Sequence, residues 1–217
     1  MKLEGYLRRF PELQTLYNTV KKDFLRKGLV HHNWNHILRD LARGILIDEE
    51  EGPNMKIVLA GILLHDIGRI HPELGKDHHS VGAEIAPKYL RKAGFGSEEI
   101  EEVVHCIRSH GPRGLEEPKT LEAKVCYDVD VLSCSVGNIG VARVFDYFMR
   151  EVGMDVKQMI EIPSGRKGPR SDFYTHTGRR LGEKGLKKVN KFWKELRQEF
   201  VEEEKVIRKI IRDYEGD

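Results

Sequence analysis

The stretch Asn54–Arg69, NMKIVLAGILLHDIGR, is apolar on nearly every side as far as Leu64 and then runs into an adjacent imidazole and carboxylate, His65-Asp66. A surface helix carries one apolar stripe, so a segment with no polar face belongs inside. The stretch therefore reads as the central buried helix, over about Asn54 to Asp66. A His-Asp pair at the end of such a helix loses hydration on both side chains unless they are paired or hold a cation. Imidazole and carboxylate together suit borderline divalent metals, and a turn at Ile67-Gly68-Arg69 lets both point into one cavity.

Outward from this helix the 3.6-residue period continues and no strand-like alternation appears. Leu13, Leu16, Tyr17, Val20 and Phe24 form a stripe that ends near Gly28, and a second helix starts near Asn33 and runs through Ile45 towards the Gly52-Pro53 break. Beyond the central segment, helices are expected around Val81–Leu90, from Ser97 to Ile107, from Leu121 to Val136 and from Val141 to Met149. Pro and Gly make a loop of 162–172, and Leu181, Leu186, Val189, Trp193, Leu196 and Phe200 continue into one long or once-broken C-terminal helix. The fold class is all-α, a single domain over 1–217 with a core at about 30–150 and a C-terminal extension at about 172–217.

Composition narrows the partners. Lys and Arg total 37 against 35 Asp and Glu, a net charge of +2, which lacks the basic excess of a dedicated nucleic-acid binder. Cys106, Cys126 and Cys134 are isolated thiols without CxxC spacing, and the N-terminus has no signal-like apolar run, so a soluble, cytoplasmic protein with no membrane span is expected. The C-terminal helix can pack on its own core or on a second copy, which leaves a homo-oligomer open. A P-loop, a dinucleotide glycine motif and a kinase signature are all missing.

The His-Asp pair has company in a fixed order: His36 on the preceding helix, His78-His79 after it, His110 at the end of the next helix, and Asp128 and Asp130 beyond. With Leu63-Leu64-His65-Asp66-Ile67-Gly68-Arg69, His78-His79-Ser80-Val81-Gly82-Ala83 and Ile107-Arg108-Ser109-His110, this order resembles the HD phosphohydrolase superfamily, in its HDIG-type members, over about Asn33 to Arg150. The resemblance implies an HD-type helical bundle and a metal-dependent phosphohydrolase. It also implies a divalent ion (Mn, Co, Ni, Fe, Zn or Mg), one or two per site, on His36, His65, Asp66 and a later Asp.

Asp128 and Asp130 project about 200° apart on a helix, so only one can face the cavity. Periodicity leaves the choice open and the family pattern favours Asp130. In two-metal members a further His stands four positions before the Gly of a His-x-x-x-Gly-Ala element, which selects His78 over His79, with His110 as its companion. Asp66, His78, His110 and Arg69 are then the candidate catalytic groups. Arg69 and Arg113 are candidates for phosphate binding, as is the basic loop with Arg166, Lys167 and Arg170. His31 and His32 read as exposed or capping, His105 as structural and Trp34 as core.

The expected reaction is cleavage of a phosphoester or phosphoanhydride bond by metal-activated water, in a small phosphorylated substrate, best a nucleotide. Gly111-Pro112-Arg113-Gly114 in place of Gly-Tyr-Pro, and the lack of a Glu close after His65-Asp66, speak against cyclic-dinucleotide and guanosine-tetraphosphate hydrolases. The alternative is a metal-holding nucleotide sensor with little turnover.

Overall fold

The computed structural model describes residues 2–111, 114–161 and 173–212. Ten α-helices and no strand occur among them: α1 (Leu3–Arg9), α2 (Pro11–Lys27), α3 (Trp34–Glu51), α4 (Met55–Leu64), α5 (His78–Ala93), α6 (Ser97–Ser109), α7 (Leu121–Ser135), α8 (Gly137–Tyr147), α9 (Val156–Glu161) and α10 (His176–Ile207). The all-α expectation holds, with the long C-terminal helix present. Two short elements, α1 and α9, carry too few residues for their period to stand out in the sequence. The helix begun near Asn33 runs on through the acidic residues to Glu51.

Every residue of α4 is buried except Lys56, and α2, α3, α6 and α7 pack around it. The Asn54 side chain caps α4 by accepting from Lys56 N, and the helix gives way after Leu64 to a tight turn at Ile67–Ile70. Gly68 in that turn is there for space: a Cβ would stand 2.1 Å from the His78 carbonyl oxygen. Its absence lets the turn lie directly against the start of α5, which Asp77 fixes by accepting from His79 N and Ser80 N.

The first turn of α10 is bound at several points to the rest of the fold. Thr175 caps it, Thr177 donates to Glu50 and Glu51 at the end of α3, and Asp128 of α7 accepts from Tyr174 N, Thr175 N and Thr175 Oγ1. Among the described residues no single helix is long and apolar enough to cross a membrane.

Candidate metal centre

The ends of α4 and α6, the first turns of α3, the start of α5 and the second half of α7 converge on one buried cluster. His36 (0% exposed), His65 (3%), Asp66 (1%) and His110 (2%) are all buried in it. His36 Nε2 lies 3.0 Å from His65 Nε2, and Asp66 Oδ2 stands 3.2 Å from each of them. Asp130 Oδ1 approaches His36 Nε2 to 3.8 Å. The other oxygen of Asp66 faces a second set: Arg69 Nε at 2.5 Å, His78 Nε2 at 3.5 Å and His110 Nε2 at 3.9 Å.

Local backbone contacts set the histidine tautomers. His65 Nδ1 donates to the Ile62 carbonyl at 2.8 Å and His110 Nδ1 to the Ile107 carbonyl at 2.6 Å, which turns both Nε2 atoms towards the carboxylates. Burial by itself lowers the pKa of His65, yet Asp66, Asp40 and Asp130 together outweigh it and raise the group to about 10. The cluster thus calls for positive charge. Burial brings His78 down to about 3 and holds His110 well below its ordinary value, so both present neutral imidazoles. Burial pushes Asp66 upwards, but Arg69 and His65 carry it well below the usual carboxylate range.

These donors fit a divalent cation. His36, Asp40, His65 and Asp130 each offer an atom within 4.8 Å of the others, as do His65, Asp66 and His110, and as do His78, His79 and His110. The last group is weaker than its spacing suggests, because His79 Nε2 is 3.2 Å from the His110 carbonyl oxygen and its Nδ1 is 3.3 Å from Asp77. His78 Nε2, by contrast, meets Arg69 Nη2 at 3.1 Å beside Asp66.

The family model for the HD domain matches residues 33–134. A crystal structure described as a predicted HD superfamily hydrolase, from an uncultured Thermotogales bacterium, is 29% identical. It has a TM-score of 0.65, with 92% of this chain and 99% of that one covered. Residues 33–134 of the chain carry an HD domain.

Bacillus subtilis YpgQ in complex with ADP shares the fold at 22% identity and a TM-score of 0.60, over 87% of this chain and 95% of that one. Ribonuclease Y of Desulforamulus reducens is 26% identical over 172 residues, 79% of this chain and 30% of that protein. Ribonuclease Y of Thermotoga petrophila is 32% identical over 132 residues, 60% of this chain and 24% of that protein. The chain therefore spans about a third or less of the length of these curated relatives.

Within this HD domain the two candidate aspartates of α7 part company. Asp130 lies against the cluster, where Gly111 (φ +64) comes so close that a Cβ would be 2.7 Å from Asp130 Oδ2. Asp128 spends its carboxylate on the start of α10. Arg113, Arg166, Lys167 and Arg170 lie outside the described residues. A groove of about 500 Å³ between α5 and α6, lined by Pro87, Arg91, Phe95 and His105 among others, shares no residue with the cluster.

One expectation is overturned. His31 and His32 are both 7% exposed and form part of the wall of the site. Glu151, in the turn after α8, accepts from His31 N at 3.1 Å and lies 2.7 Å from His32 Nδ1. The His32 ring stands edge-on to His36 with centroids 5.6 Å apart. The partner is 119 positions away, so no local pattern announces it. Asp40, 1% exposed and one turn beyond His36 on α3, also escaped the sequence reading, although the spacing His36-x-x-x-Asp40 puts both on one helix face. His105 is structural, held by Glu116 at 2.7 Å, and Trp34 is a core residue.

Proposed function

We propose that this HD domain hydrolyses a phosphoester or phosphoanhydride bond in a nucleotide, with a divalent cation held by His36, His65, Asp66 and Asp130. The observation that carries the reading is the division of Asp66, one oxygen towards His36 and His65 and the other towards Arg69, His78 and His110. A carboxylate so placed joins a cation site to a phosphate site. When bound, the cation supplies Lewis-acid charge cancellation and lowers the pKa of water at neutral pH.

The chain's own groups do the rest. Arg69, held between Asp66 and His78, faces the charge of a phosphate oxygen beside the cation site. His78, half-buried, and His110, fully buried, are both neutral and can ligate a second cation or accept a proton. His32, fixed through Nδ1 by Glu151, is positioned to protonate the leaving oxygen. Arg113, Arg166, Lys167 and Arg170 remain candidates for gripping the rest of the substrate.

The ADP bound by YpgQ supports a nucleotide as the small-molecule substrate. A second reading, the phosphodiester of RNA, is favoured by the ribonuclease Y relatives. The two separate in one experiment. Metal-stripped protein is reconstituted with Mn, Co, Ni, Fe, Zn or Mg and assayed on nucleoside mono-, di- and triphosphates and on a short oligoribonucleotide. Release of phosphate from nucleotides, lost in Asp66→Ala and slowed in kcat by His32→Asn, supports the first reading. Shortening of the oligoribonucleotide with nucleotides untouched supports the second. Turnover of neither substrate with any of the six metals refutes both.

A further inference from the structure

Asp40 is nearly inaccessible, at 1% exposure, and among the described residues neither of its oxygens makes a hydrogen bond of ordinary geometry. The buried Ser133 hydroxyl faces it from α7 and is likewise without a hydrogen bond. Among the described residues the ion-pair contacts of Asp40 within 4 Å are with two histidines, Oδ2 standing 3.4 Å from His36 Nε2 and 3.6 Å from His65 Nε2, while the Arg43 and Arg143 charges act on it from farther off. A buried carboxylate without hydrogen bonds costs several kcal/mol unless its charge is balanced, so a group kept in this state is matched by nearby positive charge or held neutral.

Orientation separates two roles. A carboxylate that tunes a metal-binding histidine holds the ring nitrogen remote from the metal. In His65 that nitrogen, Nδ1, is taken by the Ile62 carbonyl, and in His36 Nδ1 makes no hydrogen bond among the described residues. Asp40 approaches neither. It meets Nε2 of both rings, the same atoms that Asp66 Oδ2 approaches.

We propose that Asp40 is an additional ligand-bearing carboxylate of the metal centre, facing the cation together with His36, His65, Asp66 and Asp130. This rests on the metal-dependent reading above. Three carboxylates with two imidazoles make an oxygen-rich donor set. Such a set suits the six-coordinate geometry of Mn(II), Fe(II) or Mg(II) better than the four-coordinate geometry usual for Zn(II).

The test uses the full chain, stripped of metal and titrated calorimetrically with Mn(II) and Co(II), as wild type and as the isosteric Asp40→Asn. The expected result is a loss of about tenfold or more in Mn(II) affinity, a shifted Co(II) visible spectrum, and a metal-free melting temperature no lower than wild type. An Asp40→Asn protein with wild-type Mn(II) affinity and an unchanged Co(II) spectrum overturns the proposal. If that variant does not fold, a crystal structure of Mn(II)-loaded wild type decides. An Asp40 oxygen within about 2.0–2.6 Å of the ion supports the assignment, and one beyond that bonding range overturns it. Wild type that takes up no divalent ion removes the metal-dependent reading itself. Wild type that binds while Asp40→Asn matches it removes the role of Asp40 alone.

Discussion

His36 Nε2 faces His65 Nε2 at 3.0 Å, and the carboxylate of Asp66 lies 3.2 Å from both nitrogens. With His65 Nδ1–H committed to the Ile62 carbonyl, two ring nitrogens and a carboxylate oxygen share a space that a single proton serves poorly and a divalent cation serves well. The relationship joins α3 to the end of α4, so whatever occupies the space also ties two core helices together.

Cation binding should therefore stabilise the fold. Mn(II) at about a hundred times its dissociation constant adds about 2.7 kcal/mol by mass action, which for a chain of this size raises the melting temperature by about 5–10 °C. Differential scanning fluorimetry with and without chelator checks this. In Asp66→Ala the increment should vanish, and an increment of wild-type size in that variant would remove Asp66 from the site.

Asp128 and Asp130 should fail in opposite ways. Asp128→Ala removes the acceptor for Tyr174 N, Thr175 N and Thr175 Oγ1 and so releases the start of α10, at a cost of about 2–4 kcal/mol. Its metal affinity should stay at the wild-type value. Asp130→Ala should lose metal affinity while its metal-free stability changes little. Urea titrations paired with calorimetry tell the two apart, and the reverse assignment of effects would exchange their roles.

Glu151 gives the fold a pH dependence. Burial pushes its carboxyl up, but the His32 ring and the backbone amides of His31 and His32 bring it down to about 2 from an ordinary 4.5. A depressed folded pKa stabilises above the unfolded value, and that contribution is lost as pH falls through the folded one. The melting-temperature gap between wild type and Glu151→Gln, worth about 1–2 kcal/mol after screening, should be present just above pH 4.5 and close as pH falls towards 2. A gap independent of pH would show that the carboxylate's charge is not what holds this wall.

Gly68→Ala should be severely destabilising, by about 3 kcal/mol or more, because the added methyl would lie 2.1 Å from the His78 carbonyl oxygen on unyielding backbone. Since the turn carries Arg69 and abuts His78, the loss should appear in the metal-free protein as well as in turnover. A variant that melts within a degree of wild type would mean that the turn can shift away from α5.

The longer helices were legible because each needs only the local period. The stripe of α2 closes at Gly28 in a left-handed conformation (φ 66), and α4 is buried on all sides as its composition demands. Much of the centre was legible too, because His36, His65, Asp66, His78 and His110 sit at helix ends or on faces that the period already assigns. Asp40 and His32 were not. Asp40 looked like one more acid on a charged helix, and nothing near His32 in the chain announces Glu151.

By itself, then, the sequence determined the all-α architecture, the buried helix that ends in His65-Asp66, and the ordered set of imidazoles and carboxylates from which a cation site can be built. These follow from local hydrophobic period and from the cost of burying polar groups. Tertiary structure alone decided that Asp130 faces His36 while Asp128 anchors α10, that His78 rather than His79 turns to Asp66, and that Asp40 joins the cluster. The reason is that period specifies which face of its own helix a side chain occupies. What that face meets depends on helices distant in the chain, and the pairing that neutralises each buried charge exists only once they have packed.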